Sequence, residues 1–174
     1  MKLLLTAFTL ATVVITSSAA RAEWIYSDAQ DELDDSERAL VGAFAEETTS
    51  NTAYMMQFQC WKGQPEQTML VLATTEKQLF ENQLDAQEFA IRVDKNPVRK
   101  MVLAPSPSDD DVIRYVTAAR VEEAMPALLD EVEHANKKVI VTFGSELVHF
   151  TVKGAAKTLA KLREHCAFGL GAGQ

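Results

Sequence analysis

The chain has 174 residues, of which 17 are Lys or Arg and 25 are Asp or Glu, so its formal net charge is −8 at pH 7. This length suits one domain, and a composition of 47% hydrophobic and 24% charged residues is typical of a globular protein, not a disordered or fibrous one. The excess of acid argues against a general nucleic-acid binder, which needs a basic face, and against docking on anionic lipid.

The N-terminal segment has the pattern of a signal peptide. Lys2 precedes an apolar run at residues 3–15, and Ala20-Arg21-Ala22 forms a cleavage sequence. The run is shorter than the roughly 20 residues that span a bilayer, so we expect cleavage after Ala22 rather than a retained anchor. Cleavage removes two basic residues and no acidic one, which takes the net charge from −8 to −10. We predict export to the periplasm, or alternatively secretion, as a chain that is neither lipidated nor integral to the membrane.

Cys60 and Cys166 are the only cysteines in the sequence. In an oxidising compartment a disulfide is the default expectation, and two cysteines allow only one intramolecular pairing. A redox pair would normally read C-x-x-C, and a thiolate zinc site would need further ligands at short spacing; neither pattern occurs. We therefore predict a structural disulfide that joins the end of an early strand to the end of the last helix.

Strand patterns dominate the chain between the leader and residue 152. They consist of alternating apolar and polar side chains, or of short runs that are apolar on both faces, with turn residues between them. The predicted strands are residues 23–27, 53–60, 68–75, 87–94, 99–104, 112–118, 139–143 and 147–152. Residues 38–46 predict a strand or a short helix, because Gly42 at their centre favours neither. The acidic segments 28–37 and 105–111 are predicted loops.

Two segments have apolar residues at helical spacing. The first contains Met125, Leu128, Leu129, Val132 and Ala135, with Pro126 suited to its first turn. The second opens at Gly154 and places Leu159, Leu162 and Cys166 on one face. Strands in hairpin order with two helices predict a single α+β domain at residues 23–168. We expect an antiparallel sheet or sandwich, the last helix at the C-terminus, and a disordered tail at residues 169–174.

No pattern in the sequence predicts a catalytic, cofactor-binding or metal-ligating residue. The histidines His134, His149 and His165 lack the spacing of a zinc site. Gly144-Ser145-Glu146 resembles a nucleophile elbow only in its glycine, which a tight turn between strands also needs. Residues 109–111 are acidic but lack the ligand order of a calcium loop, so we expect them to be solvated.

Two other features favour packing over chemistry. Trp61 directly follows Cys60, a position more typical of core packing than of a ligand platform. Met55 and Met56 point to opposite faces of one strand, so at most one of them belongs to an exposed surface. Because interaction surfaces leave no compact motif, the sequence favours a binding or assembly role without identifying the partner surface.

Several residues occur in an order that resembles a known family. An early tryptophan, Trp24, is followed by the strand ending in Cys60, by Ile91-Arg92-Val93-Asp94, and by Phe150-x-x-x-Gly154-x-x-x-x-Leu159-x-x-Leu162-x-x-x-Cys166. This order resembles the type VI secretion-associated VasI-like family of small exported single-disulfide proteins. The resemblance implies a non-enzymatic accessory of an envelope machine, with no cofactor, and it carries over no catalytic residue.

We therefore expect a non-catalytic periplasmic protein that acts through a protein partner in the cell envelope. Two alternatives come from other functional classes. One is a periplasmic inhibitor or immunity protein, whose acidic surface would steer it onto a basic cell-wall-degrading enzyme. The other is a hydrolase whose residues converge only in the fold.

Overall fold

A computed structural model describes residues 23–30, 36–45, 52–76, 85–106, 112–117 and 124–168. The strands are β1 (Ile25–Gln30), β2 (Glu37–Phe44), β3 (Tyr54–Trp61), β4 (Gln64–Thr74), β5 (Gln87–Val93), β6 (Arg99–Ser106), β7 (Ile113–Thr117), β8 (Lys138–Phe143) and β9 (Glu146–Thr151). The helices are α1 (Ala124–Glu133), between β7 and β8, and α2 (Ala155–His165), after β9. The predicted signal peptide, the predicted tail and residues 107–111 lie outside the described residues.

All nine strands belong to one sheet, in the order β1-β2-β3-β4-β7-β6-β5-β8-β9. Every neighbouring pair is antiparallel. Ala45, directly after β2, forms an isolated bridge with Phe150 of β9. The two ends of the sheet therefore approach each other. This architecture confirms the predicted α+β class with an antiparallel sheet and a C-terminal helix.

The inward face of the sheet and one face of each helix share a single hydrophobic core. β3 illustrates the cause, since Tyr54, Met56, Phe58 and Cys60 are buried while the residues between them are partly exposed. The helices contribute Met125, Leu128, Leu129, Val132, Ala155, Leu159 and Leu162. β4 is buried on both faces from Leu70 to Thr74, as expected for a strand that has a neighbour on each side in the interior of the sheet.

The predicted disulfide is present. Cys60, near the end of β3, and Cys166, the residue that follows α2, are bonded with their Cα atoms 6.1 Å apart. Both residues are fully buried. The bond therefore attaches the C-terminal helix to the early strands, as the sequence indicated.

Some residues that the sequence assigned to loops or turns lie in strands instead. β1 continues through Asp28 to Gln30, β4 begins at Gln64, and β6 continues through Pro105 to Ser106. Backbone pairing with a neighbouring strand outweighs the low strand propensity of Asp, Gln and Pro at these exposed ends. Pro105 is tolerated because β5 no longer flanks β6 there, so only β7 pairs with it. The ambiguous segment 38–46 contributes the strand β2.

Candidate binding groove

The hydrogen bonds of β2 define which way its backbone groups point. The amide of Ala45 donates to the carbonyl of Tyr54 at 3.0 Å, and the amide of Lys62 donates to the carbonyl of Glu37 at 2.8 Å. Odd-numbered residues of β2 therefore bond to β3, and even-numbered residues face β1, because backbone groups alternate sides along an antiparallel strand.

The same alternation shows which backbone groups face the outer edge of β1, where the amide of Trp24, just before the strand, donates to the carbonyl of Lys153 at 3.0 Å. The residues of β1 opposite the even-numbered residues of β2 are Ile25, Ser27 and Ala29, which bond inward to the sheet. The backbone groups of Tyr26 and Asp28 consequently point away from β2. Among the described residues, no strand pairs with this side of β1.

A groove of about 440 Å³ lies beside this open edge. One wall is formed by residues 23–26, at the start of β1, and the other by the first turns of α2. The helix contributes Gly154, Lys157, Thr158 and Lys161. The groove thus lies where a further strand beside β1 would contact α2.

Gly154 allows α2 to begin directly against the start of β1. Its φ of 83° is left-handed, which favours glycine, and an added Cβ would lie 3.1 Å from Cγ of Glu23 and 3.3 Å from the carbonyl oxygen of Trp24. Trp24 fixes the other side of this contact. Its indole stacks on Phe58 with ring centroids 6.0 Å apart, and Nε1 donates to the carbonyl oxygen of Thr151 at 2.6 Å.

The helix wall of the groove is basic. Lys157 and Lys161 are both exposed, and neither forms an ion pair with a carboxylate in the part of the chain that the structure describes. Nζ of Lys161 lies 5.3 Å from the centroid of the Tyr26 ring. The pKa of Tyr26 is raised, first by burial and then by Asp28 and Glu164. In contrast, Lys153 at the rim is paired with Glu23 at 3.3 Å.

A second polar cluster joins the helices to the sheet. Nε of Arg99 donates to Glu131 at 3.1 Å, and Nε of Arg163 donates to Glu133 at 2.5 Å. The carboxylate of Glu131 raises the pKa of Arg99. Each half-buried glutamate is thus engaged by an arginine, and the cluster connects α1 to β6 and to α2.

The histidines do not converge on a common site. His134, directly after α1, lies with Nδ1 2.9 Å from the carbonyl oxygen of Asp130; His149 lies on the outer face of β9; and Nε2 of His165 lies 3.5 Å from the carbonyl oxygen of Glu37. Within the described ranges, no three His, Cys, Asp or Glu side chains are grouped as metal ligands.

The remaining candidate residues have structural surroundings. Gly144 has a φ of 57° in the β8–β9 turn, as predicted, and Ser145 beside it is exposed. Met56 is buried and Met55 is partly exposed on the opposite face, which confirms their predicted orientations. Trp61 is half-buried on the outer face and lies outside the core cluster, so the expectation that it packs in the core is wrong.

Asp94, the last residue of the Ile91–Asp94 motif, fixes a turn. Its carboxylate accepts hydrogen bonds from the amides of Asn136, Lys137 and Lys138 at 2.8, 2.9 and 2.9 Å. These bonds, led by those from Asn136 and Lys138, lower the pKa of Asp94. The motif therefore connects the β5–β6 turn to the link between α1 and β8.

Comparison of the chain with protein-family models, with curated proteins and with solved structures gives no match. Neither of the described helices is long and apolar enough to cross a membrane. The disulfide is of the kind that persists in oxidising compartments.

Proposed function

We propose that this chain is a non-catalytic protein of the cell envelope that acts by binding another protein. The partner adds an extended segment to the outer edge of β1, in the groove beside α2. One observation carries the proposal: the backbone groups of Tyr26 and Asp28 point away from β2, toward a side of β1 on which no strand of the described residues pairs. Such an edge is a template for strand addition.

The composition of β1 supports this role. Proteins usually protect an edge strand with proline, bulges or several charges. β1 pairs with β2 over six consecutive residues without a register shift, contains no proline and carries one charged residue, Asp28. Ile25, at the groove end of the strand, has 64% of its surface exposed. An edge strand without these protections can pair with a strand of another chain.

The location in the envelope has separate support. The N-terminal pattern is that of a signal peptide, and a disulfide is favoured outside the cytoplasm. The resemblance to the VasI-like family extends the proposal to an accessory role in an envelope secretion machine, in the periplasm.

Asp28→Pro tests the proposal. The substitution removes an amide that points away from β2, so the β1–β2 hydrogen bonds remain intact, whereas a partner strand loses a donor. Asp28→Ala controls for the lost charge. A photo-crosslinking amino acid at Ala29 of the exported chain reports contacts in the producing cell, and the same probe at Val98, exposed on the distant β5–β6 turn, measures background.

We expect a protein adduct from Ala29 and none from Val98, retained in Asp28→Ala and lost in Asp28→Pro. Circular dichroism must show that Asp28→Pro is folded. Should it unfold, Ile25→Lys places on the same edge a charge of the kind that prevents strand pairing. The proposal is overturned if the Ala29 adduct persists in a folded variant of the edge, Asp28→Pro or Ile25→Lys. It is also overturned if the probe at Ala29 gives no more adduct than the probe at Val98.

A further inference from the structure

We infer that the segment that binds beside β1 carries two carboxylate side chains at alternate positions, which pair with Lys157 and Lys161. This inference rests on the proposed function and specifies the chemistry of the partner. The ligand is an extended acidic segment of a protein, with the pattern acid-x-acid.

The charges at the groove are the first argument. The chain has a net charge of −8, yet both exposed cations on the helix wall lack a carboxylate partner among the described residues. The third lysine nearby, Lys153, already pairs with Glu23, so this acid at the rim is compensated. A basic strip on an otherwise acidic protein selects an anionic partner, because complementary potentials favour it and disfavour others.

Spacing is the second argument. Lys157 and Lys161 are one helical turn apart, and residues at that separation have Cβ atoms about 5–6 Å apart on the same face of a helix. Alternate residues of a strand lie roughly 6.6–6.8 Å apart and also share a face. Two acids at alternate positions of an added strand therefore both face the lysines, whereas adjacent acids would point to opposite sides.

The acids around Tyr26 determine where the partner's carboxylates lie along the groove. Asp28 and Glu164 both act electrostatically on Tyr26, so the side of the groove nearest them disfavours further negative charge. Lys161 lies over the Tyr26 ring, and Lys157 is one turn closer to Gly154 and Glu23. The acid-x-acid pattern is therefore positioned along Lys157 and Lys161 toward the start of β1, at the end of the groove away from Asp28.

Two synthetic peptides of equal composition test the inference. Both contain nine residues of threonine and valine with two glutamates, which are alternate in one peptide and adjacent in the other. Binding is measured by fluorescence anisotropy with labelled peptides on the parent chain and on Lys157→Glu/Lys161→Glu. The control is Arg92→Glu/Lys95→Glu, which makes the same change of charge at exposed residues of β5 and its turn, away from the groove.

The alternate peptide should bind about two- to fivefold more tightly than the adjacent one, because the adjacent peptide can place only one of its glutamates beside the lysines and therefore lacks one exposed ion pair. The groove variant should lose this preference, and the control variant should retain it. Any of three results overturns the inference. The two peptides bind the parent chain with equal affinity, the two double variants have equal effects, or neither peptide binds although the Ala29 adduct still forms.

Asp28→Pro separates the two proposals. Suppose that Asp28→Pro abolishes peptide binding or the Ala29 adduct, but the parent chain binds the alternate and adjacent peptides with equal affinity. In that case strand addition at β1 is supported and the preference for alternate acids is overturned. If the peptides bind equally well to parent and Asp28→Pro, the edge of β1 is not the binding site and the proposed function falls.

Discussion

Removal of the disulfide by Cys60→Ala/Cys166→Ala should weaken the fold severely without abolishing it. The bond closes a separation of 106 residues. In the chain-entropy treatment, a closure of about 100 residues contributes about 4.7 kcal/mol by restricting the unfolded chain. Since domains have a total stability of roughly 5–15 kcal/mol, the variant should lose a third or more of it.

The contacts that remain explain why the variant should still fold. Leu159 and Leu162 keep α2 in the core, and the ion pair between Arg163 and Glu133 still joins the two helices. Alanine at two fully buried positions also leaves a small cavity, which adds about 1 kcal/mol to the cost. Cys166→Ser alone should be destabilising by a similar few kcal/mol, because it removes the same closure.

Urea unfolding in non-reducing buffer, followed by tryptophan fluorescence and circular dichroism, measures the effect. The parent treated with reductant provides the matched comparison, since it has lost the bond but keeps both sulfurs. We expect the double variant and the reduced parent to have similar midpoints, both well below that of the oxidised parent. If the free energies of unfolding of the double variant and the oxidised parent agree within about 1 kcal/mol, the loop-closure reasoning is refuted.

Three further substitutions test individual contacts. Asp94→Asn should cost about 1 kcal/mol at neutral pH after solvent screening. Because folding lowers the pKa of Asp94 below 3.8, its carboxylate stabilises the fold above that pH. This contribution is lost as pH falls through the lowered pKa, so urea midpoints of the variant should depend less on pH in the acid range. Trp24→Phe keeps the stacking but leaves the buried carbonyl of Thr151 unpaired, which should cost about 1–3 kcal/mol in the same assay. Gly154→Ala should lower the melting temperature, because alanine is strained at a φ of 83°.

The elements that the sequence predicts well are those with strong local signals. The alternation of β3, the Gly144 turn between β8 and β9, and the apolar spacing of α2 each identify an element without knowledge of the rest of the chain. The ends of β1 and β6 lack such a signal, because exposed polar residues and proline enter a strand only where a neighbour pairs with them. Such pairing is a property of the assembled sheet.

The groove could not be predicted for the same reason. Lys157 and Lys161 are visible in the sequence as an exposed pair at helical spacing, but nothing local indicates that they lie beside β1. The start of β1 is held near the beginning of α2 by the hydrogen bonds from Trp24 to Thr151, at the end of β9, and to Lys153, the first of which spans 127 residues. The disulfide was predictable despite a separation of 106 residues, because two cysteines leave no choice of partner.

The residues of the C-terminal motif acquire a common physical explanation from the position of α2. Gly154 allows the helix to begin against Glu23 and Trp24, Leu159 and Leu162 bury one of its faces, and Cys166 attaches its end to β3. The helix is thus fixed at both ends, with the two groove lysines between them. A partner strand does not have to order this wall when it binds, and that lowers the entropic cost of association. In the proposed function, the motif serves the groove indirectly by holding α2 in place, while Lys157 and Lys161, outside the motif, select the partner.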